Sequence, residues 1–454
     1  MTLKALEEGL ILKVLLCQSY LGPRSGEPAV FPLGLAYLAS MIKEKHEVYA
    51  YDPNVSDSPM SELSALLDKV NPDVVGVSFR NIDSAFSFNS RSYYDPFVSM
   101  VKMIKEKVPS CKLIVGGPGF SVFAEEVMKR TPELDLGMIS EGELSFSRLL
   151  DDLDHPERVK NVLVRKDDGV VFTGMGDLAD FEALPLPSRE IFDLGKYRDK
   201  MYAMGVQSKR GCSFGCTFCP NRRITGDYFR LRSPEKVADE IDGVVNDLGI
   251  DSFYFADAVF NYPMDHSRKL MQEIMKRKLD IRWQADFRPD FVNAQFMEES
   301  VKSGCTLFSF SPDGASDEAM RVLGKGFGVD SIKKTIRLAR LVEGANVAYS
   351  FLYDMPLCAN DNALGLLRLV PRIMAECMCK LRFVSLTKIR IYPHTWIYEQ
   401  ALREGKIGAD TDMLHPVHYE SGSSLGVADR FVDVLRGASI LSEKACKKFR
   451  HEMA

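Results

Sequence analysis

Cys212, Cys216 and Cys219 share one short stretch, Arg210-Gly211-Cys212-Ser213-Phe214-Gly215-Cys216-Thr217-Phe218-Cys219-Pro220, in a CxxxCxxC spacing. Three soft thiolates on a tight loop suit three corners of a four-iron, four-sulfur cube and leave the fourth iron free to bind a small molecule. Zinc is the competing metal, but a structural zinc site closes with four ligands and usually pairs two CxxC-type knuckles, and no second knuckle follows. Simple burial of three small thiols, without metal, is the remaining alternative.

The elements that must position this loop are α/β in character. Ahead of it, β-rich runs at 11–17, 47–51, 74–78, 113–117 and 136–140 alternate with helical patterns, the form of a doubly wound parallel sheet. Leu35, Leu38, Ala39 and Ile42 recur at helical spacing behind Pro32. Ligands of such folds sit at the carboxyl ends of the strands, which makes Gln18, Ser19, Arg80, Asn81, 116–119 and 141–143 the candidate pocket. Gly116-Gly117-Pro118-Gly119 removes side chains where a strand meets a helix, though any α/β turn can look the same. Leu184-Pro185-Leu186-Pro187-Ser188 cannot be an interior strand and reads as the linker. Behind the loop, runs at 253–256, 282–285, 307–311, 348–353 and 383–391 repeat in β/α order.

With its aromatic Phe218 before the last cysteine, the loop resembles the signature of the radical S-adenosylmethionine (radical SAM) superfamily. Upstream, Phe31-Pro32-Leu33-Gly34-Leu35, Val77-Ser78-Phe79-Arg80-Asn81, Val115-Gly116-Gly117 and Ser140-Glu141-Gly142-Glu143 follow in order and resemble the cobalamin-binding domain of class B members. The resemblance implies a Rossmann-like cobalamin domain (1–185), a partial (β/α)6 barrel (186–405) and a C-terminal substrate-side segment (406–454). It implies cobalamin contacts from Gln18, Leu33, Gly34, Ser78, Arg80, Asn81, Gly116, Gly117, Pro118, Gly119, Glu141, Gly142 and Glu143. For SAM it implies Phe218, Asp257 toward the ammonium, Ser309, Ser311 and Asp313 toward the ribose, and Tyr392. Packing or turn chemistry is the alternative for each of these. The DxHxxG motif that ligates cobalt in many cobalamin domains is absent, and His46 reads as a turn residue. Arg80 is then the candidate beneath the cobalt, the alternative being an ion pair with Asp83 or Glu141.

The implied reaction is methylation of an unactivated carbon: a 5'-deoxyadenosyl radical abstracts hydrogen, and methylcobalamin delivers the methyl group. The expected site lies between the domains. The compact build is compatible with a peptide or protein substrate, with a glutamine of methyl-coenzyme M reductase as the candidate. The alternatives are a related enzyme acting on a small metabolite, tetrapyrrole or lipid, and a non-catalytic cobalamin or cluster sensor. An electron donor such as ferredoxin or flavodoxin is implied. The net charge of −5, with signs interspersed, argues against nucleic acid. No apolar run reaches the ~20 residues that span a bilayer. A cytoplasmic, well-reduced or anaerobic setting is expected, with the ten cysteines as thiols and cluster ligands. Cys358, Cys377 and Cys379, with Cys305 as an additional candidate, leave open a second metal site against plain burial. Leu414-His415-Pro416-Val417-His418-Tyr419 is a candidate cover for the site, with either histidine near substrate.

Overall fold

The computed structural model of the chain describes residues 11–422 except 24, 89 and 168. Most of the expected C-terminal segment, 423–454, lies outside the described residues. Two sheets organise the rest. The first holds β1 (Lys13–Gln18), β2 (Glu47–Tyr51), β3 (Val74–Ser78), β4 (Lys112–Gly116), β5 (Leu136–Met138), β6 (Val162–Lys166) and β7 (Gly169–Phe172) in the order β2-β1-β3-β4-β5-β6-β7. The first five strands are parallel, as the alternation of runs and helices predicts. β6 and β7 add an antiparallel hairpin that the five-strand reading lacks. Successive side chains of a strand face opposite ways, so Val14 and Leu16 pack beneath the helix Leu33–Ile42, while Leu15 and Cys17 pack against Phe97 and Ile104.

The second sheet is wholly parallel, in the order β15-β14-β13-β12-β11-β8. Its strands are β8 (Met204–Val206), β11 (Ser252–Phe255), β12 (Arg282–Phe287), β13 (Cys305–Asp313), β14 (Asn346–Leu352) and β15 (Leu381–Thr387). A short antiparallel pair, β9 (Lys209–Arg210) and β10 (Arg230–Leu231), brackets the cysteine loop. β15 stops at Thr387, short of the expected 391, because Arg390 leaves the sheet to bridge His418. Phe255, Trp283, Phe287, Phe308, Phe310 and Tyr349 fill the helix-facing side of the barrel wall. The same apolar cluster runs on through Phe181, Phe192 and Tyr197 to Phe31 and Tyr37, so the two sheets share a core. Asn293 and Ser316 cap the helices that follow them, each accepting a backbone N–H three residues on. Among the described residues no helix is long and apolar enough to cross a membrane.

Candidate active site

The carboxyl ends of β1, β3, β4 and β5 open onto a cavity of about 550 Å³, whose far wall is the barrel residues Gly205, Gln207, Tyr254, Ala256 and Gln284. Gln18, Leu33, Gly34, Ser78, Arg80, Gly116, Gly117, Pro118, Glu141, Gly142 and Glu143 all line it. Asn81 and Gly119 do not. Gly119 instead lets the helix Pro118–Arg130 meet β3: its N–H donates to the Arg80 carbonyl at 2.8 Å, and a Cβ there would lie 2.9 Å from the Phe79 oxygen. At Gly117, φ is +99° and a Cβ would come within 3.0 Å of the Phe79 oxygen and Ser78 Oγ, so the strand-to-helix turn requires glycine.

These residues fit cobalamin, a large ligand that needs a broad wall and few directed polar groups. Arg80 stands at the cavity with its Nε buried and without a partner. Burial pulls its pKa below the usual arginine value, opposed by Glu27 and Asp52. The alternative ion pairs are taken by others: Asp83 holds Arg390 at 2.7 Å, and Glu141 holds Arg230. His46 precedes β2, at the opposite end of the sheet, and accepts from the Leu12 N–H at 3.3 Å. It is therefore no ligand to a cofactor in the cavity.

The cysteine loop is pinned by its backbone. Gly211 (φ +84°) passes so close to Tyr228 that a Cβ would lie 1.9 Å from its carbonyl oxygen. The Cys212 N–H donates to the Gly226 oxygen at 3.2 Å, that of Thr217 to the Leu323 oxygen at 3.0 Å, and that of Ile397 to the Thr217 oxygen at 3.2 Å. Burial raises the Cys212 thiol, and Arg288 and Lys325 are among the groups that oppose it; burial pushes Cys219 up to about 11. Burial disfavours the charged Lys325, but Asp313 and the Cys216 sulfur outweigh it and hold its pKa above the usual value. Among the described residues no three of Cys, His, Asp and Glu converge as they would around one ion. A zinc with Zn–S bonds of about 2.3 Å needs that convergence. A cube does not, because each thiolate binds its own iron.

The structure revises the expected SAM contacts. Asp257 does not present a free carboxylate to an ammonium group: Oδ1 accepts from the Ser208 and Lys209 N–H groups at 2.8 and 3.2 Å, and Oδ2 from Ser208 Oγ at 2.5 Å. It anchors the chain that leads into the cysteine loop. Ser309 and Ser311 share one face of β13 at i and i+2, whereas Asp313 follows a register shift and has φ +66°. Asp313 is paired with Lys325 at 2.6 Å, and Lys325 also donates to the Ser311 carbonyl at 3.0 Å. Phe218 packs among Leu323, Ile389 and Ile391, and Tyr392 lies 6.1 Å from Phe123, edge to face.

Among the described residues no second metal site forms. Cys358 precedes and Cys377 ends the 19-residue helix Ala359–Cys377, which sets them ~28 Å apart at 1.5 Å per residue. Cys377, Cys358 and Cys305 are buried among apolar side chains. His415 pairs with Asp412 at 2.9 Å, and His418 lies 3.4 Å from the Ala85 carbonyl. Leu414 inserts into the first sheet's core, so this segment ties the domains together instead of presenting histidines to substrate. Tyr254 and Gln284, on the far cavity wall, escaped the sequence reading because their inward facing depends on barrel closure. Arg210 and Arg230, which grip Glu141 and Glu143, were legible only as two cations flanking the cysteines.

Comparison with known proteins agrees with this geometry. The B12-binding domain matches residues 25–150, and the radical SAM superfamily matches residues 206–353. A relative in Pyrococcus horikoshii, named an uncharacterized methyltransferase, is 26% identical over 376 residues, 82% of this chain and 78% of its own. The cytidylyl-2-hydroxyethylphosphonate methyltransferase of Streptomyces wedmorensis is 22% identical over 394 residues, 73% of this chain and 70% of its own. Among solved structures, the radical SAM methyltransferase TsrM of Kitasatospora setae, with cobalamin and a 4Fe-4S cluster bound, shares the fold with a TM-score of 0.74 at 19% identity. The match covers 92% of this chain and 84% of that one. The chain thus carries a B12-binding domain and a radical SAM domain in tandem, joined at a cavity and with three thiols on a pinned loop, which is the build of a cobalamin-dependent radical SAM methyltransferase.

Proposed function

We propose that the protein methylates an unactivated carbon, and that its substrate is a peptide or protein side chain. The observation that carries the reading is the cavity shared by the carboxyl ends of the first sheet and the inner wall of the barrel. When bound, cobalamin would supply the methyl group and the cluster the electron that cleaves SAM. The chain's own residues orient and exclude. Arg80 sets the polarity of one cavity wall, and Leu33, Leu35, Leu38 and Phe146 keep the cavity poor in water. Ser309 and Ser311 offer short hydroxyls suited to a ribose diol. The barrel ends in two separate edge strands, β15 and β8, and this unclosed side supports entry of an extended chain. A glutamine of methyl-coenzyme M reductase is the proposed target within that class, on overall resemblance alone.

A second reading, a small-molecule substrate, is favoured by the relatives: one is named for cytidylyl-2-hydroxyethylphosphonate, and TsrM has been solved with tryptophan as its substrate. Mass spectrometry after anaerobic turnover with reductant, cobalamin and methyl-deuterated SAM separates the two. Label on the glutamine carbon of a reductase peptide supports the first. Abundant 5'-deoxyadenosine with an unlabelled peptide, and label on a small molecule offered in parallel, overturns it.

A further inference from the structure

Two arginines bracket the cysteine loop. Arg210 in β9 comes just ahead of Cys212, and Arg230 in β10 is its register partner after the chain has turned back. Both guanidinium groups end on the segment that follows β5, at the rim of the cofactor cavity. Arg230 forks onto Glu141, with Nη1 2.8 Å from Oε2 and Nη2 on Oε1. Nη1 of Arg210 lies 2.7 Å from Glu143 and 3.6 Å from Glu141. None of the four side chains is more than 9% exposed. Further ties join the same segments: Ser140 Oγ donates to the Ile224 carbonyl at 2.8 Å, and Arg230 donates to the Thr225 carbonyl at 2.8 Å.

Cohesion alone does not call for these charges. The two sheets already share a continuous apolar core, and a buried ion pair is often no more stabilising than apolar residues of similar volume. What a forked arginine–carboxylate pair adds is direction, because two parallel bonds fix both distance and angle. Here the fork connects the wall of the cavity to both ends of the loop that carries the thiols. We propose that Glu141 and Glu143, held by Arg210 and Arg230, are positioning residues that set the separation and orientation of the cobalamin cavity and the cluster loop. The proposal rests on the cofactor reading above.

The test measures geometry instead of turnover. In the reconstituted holoenzyme, poised with cob(II)alamin and a reduced cluster, the dipolar interaction of the two unpaired spins is read by EPR. The paired replacement Glu141→Gln with Arg230→Gln removes both charges and leaves no orphan ion in the interior. In the fraction of this variant loaded with both cofactors, the spin–spin distance distribution is expected to broaden and its mean to shift. Arg230→Lys keeps the charge but loses the fork, and broadening is expected there too, which covers the case in which the paired variant does not fold. An unchanged distribution in either fully loaded variant overturns the lock alone. A wild-type chain that takes up only one of the two cofactors overturns the cofactor reading, and the lock with it.

Discussion

At the scale of single residues, the chemistry is divided between thiols that must lose protons and cations that help them do so. Cys216→Ala removes one corner of the cube, and the expected outcome is loss of 4Fe-4S absorbance and of 5'-deoxyadenosine formation with cobalamin uptake preserved, because the cobalamin residues come from other elements. Spectroscopy of the reconstituted variant decides it; loss of both cofactors would contradict the separation. Arg80→Ala removes a buried guanidinium with an unpaired Nε, and the visible spectrum of bound cobalamin should shift with cluster content unchanged. Cys377→Ser is expected to leave iron and sulfide content at wild-type levels, since Cys377 ends a helix far from Cys358. The cysteine spacing, the Gly-Gly-Pro-Gly turn and the Ser-Glu-Gly-Glu segment were all legible as patterns. The partner of each side chain was not. Asp257 reads as an open carboxylate until Ser208 and Lys209 are seen to occupy it.

At the scale of elements, the backbone does much of the positioning. Gly324 has φ +65°, and a Cβ there would lie 2.5 Å from the Gly215 carbonyl oxygen inside the cysteine loop. Gly324→Ala should therefore cost about 1–3 kcal/mol from left-handed strain and displace the loop, read as a lower melting temperature and reduced cluster retention on desalting. Five strands of the first sheet and five of the barrel were readable, because short β-branched or aromatic runs bounded by turn residues mark them. The hairpin of β6 and β7 has its signal in Asp167-Asp168-Gly169 between alternating apolar residues, a turn pattern outside the βαβ periodicity of the five parallel strands. β8 spans only Met204–Val206, includes a glycine, and is a strand because β11 lies beside it.

At the scale of the whole molecule, the site exists only while the two sheets hold their relation. Apart from the shared core, Asp83 in the loop after β3 is buried against Arg390 after β15, with the pair at 2.7 Å and no more than 2% exposed. Arg390 also donates to the carbonyls of Ile391, Met413, His415 and Val417, so one guanidinium gathers the barrel edge and the following segment onto the first domain. Asp83→Asn leaves that cation without its counter-charge, and about 3–5 kcal/mol of stability should be lost. Calorimetry of the unloaded protein would show a lower, broadened transition; an unshifted melt would mean that the pair contributes nothing to domain docking.

The sequence by itself determined the chemistry available: a three-thiolate loop, a glycine turn at a strand end, and two runs of alternating strands and helices, all set by local spacing and periodicity. Tertiary structure alone decided which groups remain free to use that chemistry. Glu141, Glu143 and Asp257 carry the right charge, but each already faces a cation distant in the chain, Arg230, Arg210 and Lys209 in turn. Arg80, of the same charge as Arg210 and Arg230, lines the cavity and is acted on by Glu27 and Asp52 without the close carboxylate fork that holds Arg230. The physical reason is that a buried charge must find a partner, and which partner it finds depends on how the two sheets pack, not on any pattern within either of them.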